Sequence, residues 1–423
     1  MKNCIWPGSS QSSDRSIETH NDDQEFPYWR RNLRVTPGAN LLASLGFGLA
    51  WPFLPLMVRG LGVHENLATW VGNMVLGFYV VSLIMSPIWG GIADHYGRKI
   101  MILRASLGMG FFMTLVPFAP TPLWFACLLA LVGLFNGSTA ATMALIVANT
   151  PDKRIGSALS LAQTGTLVGQ TMGPAVGTLL AAFVPHYHWL FWVSGGLLLT
   201  AGVLVAAFVR EVKQLAPGRY RLQWIAPLRE LLKVPKIGPL YMLAFLFSVM
   251  WNGNVTIISL YVLQLLPTEA TNAAAEAFWV GAAAIALSVS GLIAMPLWGR
   301  VLDRHDPARV LAFSTAAAAV THLPLLVLQT PLELVLTRVA FGLSAAAMLP
   351  AIVRLLKQHA PQGMDARAIS YASSFQYMAM GLAPFCAGLI GPALGLRAYF
   401  AVTVTLTVIG LVLWRRSARP RSN

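Results

Sequence analysis

The sequence predicts an all-helical integral membrane protein with twelve transmembrane spans in two pseudo-symmetric six-helix bundles, and three observations predict it. Hydrophobic residues make up 56% of the 423 positions and charged residues 11%, too few charges to cover a soluble globule. Apolar runs of about 20 residues recur from about residue 38 to 414, each long enough at 1.5 Å per residue to cross a hydrocarbon core of about 30 Å. One phrase also occurs twice: Pro87-Ile88-Trp89-Gly90, three residues, Asp94, then Gly97, Arg98 and Lys99, and 209 positions further on Pro296-Leu297-Trp298-Gly299, three residues, Asp303, then Arg304 and Arg309.

In chain order, residues 1–28 are polar and mixed in charge and lack an apolar run fit for a signal peptide, so they are expected to be a disordered, retained tail. The first bundle is placed at 29–209, with spans near 38–58, 70–93, 100–120, 122–148, 157–183 and 189–209. Residues 210–238 turn basic and amphipathic, with Tyr220, Trp224, Leu228, Leu231 and Leu232 among arginines and lysines, and are expected to lie along the inner membrane surface as a linker. The second bundle is placed at 239–414, with spans near 239–265, 277–302, 309–328, 331–354, 368–392 and 397–414; residues 415–423 form a basic tail.

Charge placement tests this count independently of hydropathy. With an inside amino terminus, all of the 30 basic residues except Arg59, Arg338 and Arg397 fall on one side. A missed or invented span would scatter them over both faces, so the positive-inside rule places both termini in the cytoplasm. The same loops explain the net charge of +14. Nucleic-acid binding, which needs clustered positives on a folded domain, is excluded as a reading. Cys4, Cys127 and Cys386 offer neither a disulfide framework nor metal spacing, and His186 and His188 lack further ligands, so no metal or cofactor is expected. No convergent nucleophile, base or metal set marks an enzyme.

The repeated phrase has a physical use. Gly90 and Gly91 permit close helix contact, Asp94 places a carboxylate at the cytoplasmic end of the second span, and Gly97 with Arg98 and Lys99 makes a tight basic turn; Gly299, Asp303 and Arg304 are its counterparts in the second half. A carboxylate there can cap a neighbouring helix or pair with a loop arginine in one conformation and release it in another; a plain topology anchor is the other reading.

Polar residues at membrane depth point to a site. Arg338 lies several residues inside the tenth span, where a charge costs about 2.5–3.5 kcal/mol on insertion scales and needs water or a partner. It is read either as a cavity cation for anionic or hydrogen-bonding solutes or as a clamp between helices. The 16 acidic residues fall in tails, loops or helix ends. Arginine effectively does not titrate, so Glu333 and His322 remain as candidates for proton coupling, each otherwise an interfacial polar residue.

The segment from Gly90 to Lys99 resembles the loop signature of the major facilitator superfamily, with His95 in place of the usual basic residue after the aspartate. Leu45-Gly46 followed by Pro52-Phe53-Leu54-Pro55, and Gly169, Gly173-Pro174 and Gly177 in the fifth span, resemble the helix-one and antiporter motifs of the twelve-helix drug:proton antiporter family. Ser160 and Thr178 stand where that pattern has further glycines. With Trp29-Arg30-Arg31-Asn32-Leu33 before the first span, the pattern is similar to MdtG-like multidrug efflux proteins.

The resemblance implies two bundles rocking about a central cavity lined by the first, fourth, seventh and tenth spans. Trp51, Asn136, Gln163, Trp251, Asn252, Asn254, Gln376 and Tyr377 then join Arg338 as cavity candidates, each equally able to tie two helices together. Pro52, Pro55 and Pro174 with its glycines suit elements that shift, or ordinary membrane packing. One departure stands out: the family's arginine four residues before a glycine in the fourth span is Gly133 here, before Gly137, whereas Arg338 stands four before Gly342.

The resemblance thus implies a monomeric exporter of small amphipathic organic compounds in the bacterial cytoplasmic (inner) membrane, exchanging them for protons. The alternatives are a dedicated exporter of an endogenous metabolite such as a siderophore, or a transporter-like membrane sensor.

Overall fold

A computed structural model describes residues 26–151, 154–183, 186–211, 225–266, 273–362 and 364–418, and the elements among them are helical throughout. In order they are α1 Trp29–Ala50, α2 Leu54–Gly60, α3 Leu67–Tyr96, α4 Arg98–Leu115, α5 Pro122–Leu134, α6 Ser138–Ala148, α7 Ile155–Phe183, α8 His188–Phe208, α9 Ile225–Leu232, α10 Ile237–Ser248, α11 Val255–Leu265, α12 Ala273–Arg304, α13 Pro307–His322, α14 Pro331–Ala345, α15 Met348–His359, α16 Asp365–Leu394 and α17 Leu396–Ala418. The expected tail lies outside the described residues up to residue 25, as do linker residues 212–224 and tail residues 419–423; of the linker, α9 is described.

Nine spans among the described residues are long and apolar enough to cross a bilayer, and α10 with α11 makes a tenth, bent by 47°. The other two expected spans are the broken pair α5–α6 and the glycine- and threonine-rich α7, which occupy the expected 122–148 and 157–183. The first span starts earlier than the expected residue 38. Asn32 explains this, since its side chain donates to the Arg210 carbonyl (2.7 Å) and accepts from the Arg210 amide (3.0 Å), holding the extra turns of α1 against the end of α8.

Helix starts follow local chemistry. Pro122, Pro307 and Pro331 occupy first turns, where the missing amide costs nothing. Thr121 and Asp306 cap α5 and α13, and Thr330 with Glu333 forms a reciprocal capping box on α14.

The duplication seen in the repeated phrase is built into the packing. Trp89 Nε1 donates to the Leu134 carbonyl at 2.8 Å, and Trp298 Nε1 donates to the Leu343 carbonyl at 2.8 Å. Both acceptors lie where a helix breaks, at Phe135–Gly137 between α5 and α6 and at Ala346–Ala347 between α14 and α15, so each indole satisfies a carbonyl the interrupted helix leaves free. Gly137, at φ +121°, takes a backbone that only glycine adopts without strain.

The two halves meet away from the termini. Arg59 at the end of α2 pairs with Glu276 in the first turn of α12, Thr69 donates to the Gly388 carbonyl (2.6 Å), and Ser259 donates to the Pro52 carbonyl (2.7 Å). Gly72 and Gly388 bring α3 and α16 into backbone contact. Towards the terminal end, polar residues of facing helices, among them Gln163, Thr164, Ser373 and Ser374, are exposed. The molecule is therefore closed at the end away from the termini, while these polar side chains of α7 and α16 lie exposed.

Candidate functional site

Between the halves lies a cavity of about 150 Å³. The first half supplies Phe47, Gly48, Trp51 and Pro52 from the first span, Tyr79 from α3, and Leu167, Gln170, Thr171 and Pro174 from α7. The second supplies Trp251, Asn252, Val255 and Ile258 from the bent seventh span, Val280 to Met295 from α12, Arg338 from α14 and Met380 from α16.

Local sequence shapes these walls. At Trp51–Phe53, beside Pro52, the first span tightens into a 3₁₀ turn, and the Pro52 carbonyl is taken by Ser259 from the opposite half. Residues Val249–Gly253 form a π turn that carries Trp251 and Asn252 to the cavity, a distortion often found at functional sites. Trp51 sits in an aromatic cluster with Phe47, Phe78 and Tyr79, at centroid distances of 4.7 to 6.1 Å.

The glycines of the antiporter-like motif face α1. A Cβ on Gly169 would come within 2.5 Å of the Leu41 carbonyl oxygen, one on Gly173 within 2.7 Å of Gly48, and one on Gly177 within 2.5 Å of the Leu49 carbonyl oxygen. The two helices are packed backbone to backbone. Inside α7, Thr178 donates to the carbonyl of Pro174 (2.8 Å).

Arg338 is buried, 1% exposed, with its guanidinium carbon 5.7 Å from the Phe341 ring centre. Its Nε and Nη1 have no hydrogen-bond partner. Near it lies His322, fully buried rather than interfacial, 4.3 Å from the Phe341 ring centre and paired through Nε2 with Asn254 Nδ2 at 3.5 Å. Tyr399 donates to Asn254 Oδ1 at 2.9 Å. Asn254 therefore belongs to a buried knot behind the cavity wall.

Of the sequence candidates, Trp51, Trp251, Asn252 and Arg338 converge on the cavity, and Pro52 joins them. Asn136, Gln163, Asn254, Gln376 and Tyr377 are not among its lining residues. Asn136 binds Ser82 beside the helix break (3.3 Å), Gln163 and Tyr377 are exposed, and the Gln376 carbonyl receives Ser248. Pro55 is buried in α2. Glu333 is exposed and its carboxylate accepts from the Gln329 amide at 2.9 Å, engaged as a helix cap.

The loop motif divides in the same way. The surroundings of Gly90 and the side chain of Asp94 lie outside what is described. Gly97 adopts φ +98°, and Glu211 accepts from the amides of Arg98 and Lys99, each at 2.8 Å, at the positive amino end of α4. Asp303 pairs with Arg354 at 3.6 Å; Gly299 has open space around it, and Arg304 closes α12.

The structure also explains the glycine in place of the family's arginine. A Cβ at Gly133 would lie 2.5 Å from the Phe78 carbonyl oxygen, leaving no room for a side chain. Arg104 stands nearby instead, its guanidinium 3.9 Å from the Trp89 ring centre and its Nη2 donating to the Asn136 carbonyl at 3.4 Å.

Sequence reasoning missed the Arg59–Glu276 pair. Glu276 is 4% exposed and joins the halves, while burial and then this carboxylate push the nearby Tyr187 phenol up to about 12. The available signal was Arg59 itself, one of three basic residues off the positive side, with an acid at the mouth of another span.

The Major Facilitator Superfamily profile matches residues 38–291 and 262–423. The chain is 33% identical over 398 residues to the multidrug resistance protein MdtG of Salmonella paratyphi C, covering 93% of this chain and 96% of that protein. Its fold resembles an inward-facing, occupied crystal structure of a bacterial homologue of the human lysosomal transporter Spinster, with a TM-score of 0.74, 15% identity and coverage of 93% and 97%. It also resembles a D-xylose-proton symporter, with a TM-score of 0.72, 14% identity and coverage of 92% and 98%.

Proposed function

The chain belongs to the major facilitator superfamily and is a multi-pass membrane transporter of small substrates, and from that premise we propose that it exports small amphipathic organic compounds across the bacterial inner membrane in exchange for protons. The observation that carries the reading is the cavity itself, walled by both halves, mostly apolar with Phe47, Trp51, Tyr79 and Trp251 as its aromatic surface, and furnished with Asn252, Gln170, Thr171 and one arginine. Such a lining suits moderately apolar solutes with few strict requirements. With both termini in the cytoplasm, the closed end faces outward.

In this scheme the halves open at the terminal end, the solute enters there, the halves close behind it, and the contacts at the far end release. Those contacts are one ion pair, two hydrogen bonds and glycine-mediated helix packing, which rocking can exchange for equivalents at the other end. Proton coupling is assigned to His322, whose charging the buried Arg338 beside it opposes in this state, so that protonation belongs to a state in which the two have moved apart. While Nε2 accepts from Asn254 Nδ2 the imidazole is neutral; a proton there would set donor against donor, so the amide must turn, Oδ1 accepting from His322 and Nδ2 donating to the Tyr399 hydroxyl in a reversal of the present bond. Asn254 stands at the junction of the π turn and α11, so that rearrangement acts on the bend that carries Trp251 and Asn252.

Reconstituted vesicles with an imposed pH gradient test the scheme. A panel of dansyl-labelled neutral, anionic and cationic compounds should move against its own gradient only while the proton gradient lasts; movement unaffected by collapsing it rejects the exchange, and no movement of any compound rejects export.

A further inference from the structure

We propose that the cavity is an anion site that selects amphipathic organic acids, with Arg338 binding their carboxylate or sulfonate head. The inference rests on reading the cavity as the transport site. Arg338 is 1% exposed, lines the cavity, and has Nε and Nη1 with no hydrogen-bond partner. A buried guanidinium left this way is costly unless an acceptor completes it.

The described protein groups do not supply the acceptor. No lining residue of the cavity is acidic. The carboxylates of Glu276, Glu333, Asp303 and Glu211 are engaged elsewhere: Glu276 with Arg59, Glu333 in its capping box, Asp303 with Arg354 and Glu211 on the amides of Arg98 and Lys99. His322 approaches Arg338 from α13, but Nε2 faces Asn254 and Nδ1 has no partner, so it brings no negative charge. The positive charge therefore faces a space where only a solute can answer it.

The surroundings define the rest of the solute. A guanidinium offers parallel donors that match a planar carboxylate or one edge of a sulfonate. Trp51 and Trp251 provide flat apolar surface, and Met295 and Met380 supply deformable thioethers that accept bodies of differing outline. A cation in the same place would meet Arg338 in a poorly solvated setting with no lining carboxylate to receive it, so the site discriminates by repulsion as well as attraction.

The test uses three probes that share one fluorophore: dansylglycine (anionic), dansylglycinamide (neutral) and dansylcadaverine (cationic). Binding to the full-length protein in phosphatidylcholine nanodiscs is measured by equilibrium dialysis against empty nanodiscs. The expected result is dansylglycine bound about tenfold more tightly than the amide and the amine weakest, as a hydrogen bond to a charged group implies. In Arg338→Gln the acid-to-amide preference should fall to about twofold or less, and Arg338→Lys should keep part of it.

Equal binding of acid and amide by the unaltered protein, or tightest binding of the amine, overturns the proposal whatever the variants do. So does a preference that survives in Arg338→Gln, which would make the arginine a clamp. Transport of the same probes separates the two claims: selective binding without movement sinks export and leaves the anion site, whereas movement of all three without acid preference sinks the anion site and leaves export.

Discussion

His322 carries more of the proposed mechanism than its sequence position suggested. Near the end of a span it reads as an interfacial residue, yet it is fully buried against Phe341 and tied to Asn254. His322→Gln preserves a group able to accept from Asn254 but cannot take up a proton near neutral pH. Gradient-driven export should fall to background in this variant while exchange of labelled for unlabelled solute continues; retained gradient-driven export would move the coupling elsewhere. Glu333→Gln is the paired control. Its side chain sits in an exposed capping box that glutamine also forms, so the pH profile of export and the melting temperature should both stay unchanged, the latter checked by thermal unfolding.

At the scale of elements, the far-end closure and the α1–α7 seam make separate predictions. Glu276→Gln removes the charge opposite Arg59, and loss of such a partly buried ion pair is worth about 1–2 kcal/mol, a shift of roughly 5–30-fold towards the state open at that end. A cysteine at Ile258, in a chain freed of Cys4, Cys127 and Cys386, should then label faster from outside the cell; an unchanged rate removes the pair from the gate. Gly173→Val inserts a side chain where a Cβ already comes within 2.7 Å of Gly48, and overpacking of this kind costs about 1–3 kcal/mol. Lower thermal stability with lost export is expected, and an unaltered melting point would show that the seam can open.

These elements also show what the sequence could and could not disclose. The repeat announced the duplication, and the structure carries it down to the bonds from Trp89 and Trp298 to carbonyls 209 residues apart. The break at Ala346–Ala347 was hidden because the apolar run continues through it, whereas Asn136-Gly137 at the first break is a turn signal inside a span otherwise apolar enough to read as continuous. Arg338, Trp51, Trp251 and Asn252 were legible as rare polar or aromatic groups on spans expected to face inward. Asn254 was not separable from Asn252, two positions away, since a π turn re-aims side chains that a regular helical pattern would place. Glu276 was overlooked because burial of a residue at a helix end depends on the opposite half.

For the whole molecule, alternating access demands that both ends be able to close, and the described state shows one closed end with a defined set of contacts. Its orientation in the cell makes the topology directly testable. Protease-sensitive tags at residue 2 and residue 423 should both resist external protease in spheroplasts, whereas one inserted at Pro120, on the same face as Arg59, should be cut. Cleavage of either terminal tag from outside would reverse the direction of transport read from this state.

The glycine seam between α1 and α7 bears on how this protein can acquire new cargo. Where two main chains touch, nearly every substitution collides, so that wall is closed to mutational experiment by natural selection. Met295 and Met380, which the second bundle brings to the cavity, meet it through flexible side chains and take no part in that backbone seam. Adaptation to unfamiliar compounds should accordingly be written on the second bundle, leaving the first as an inherited template.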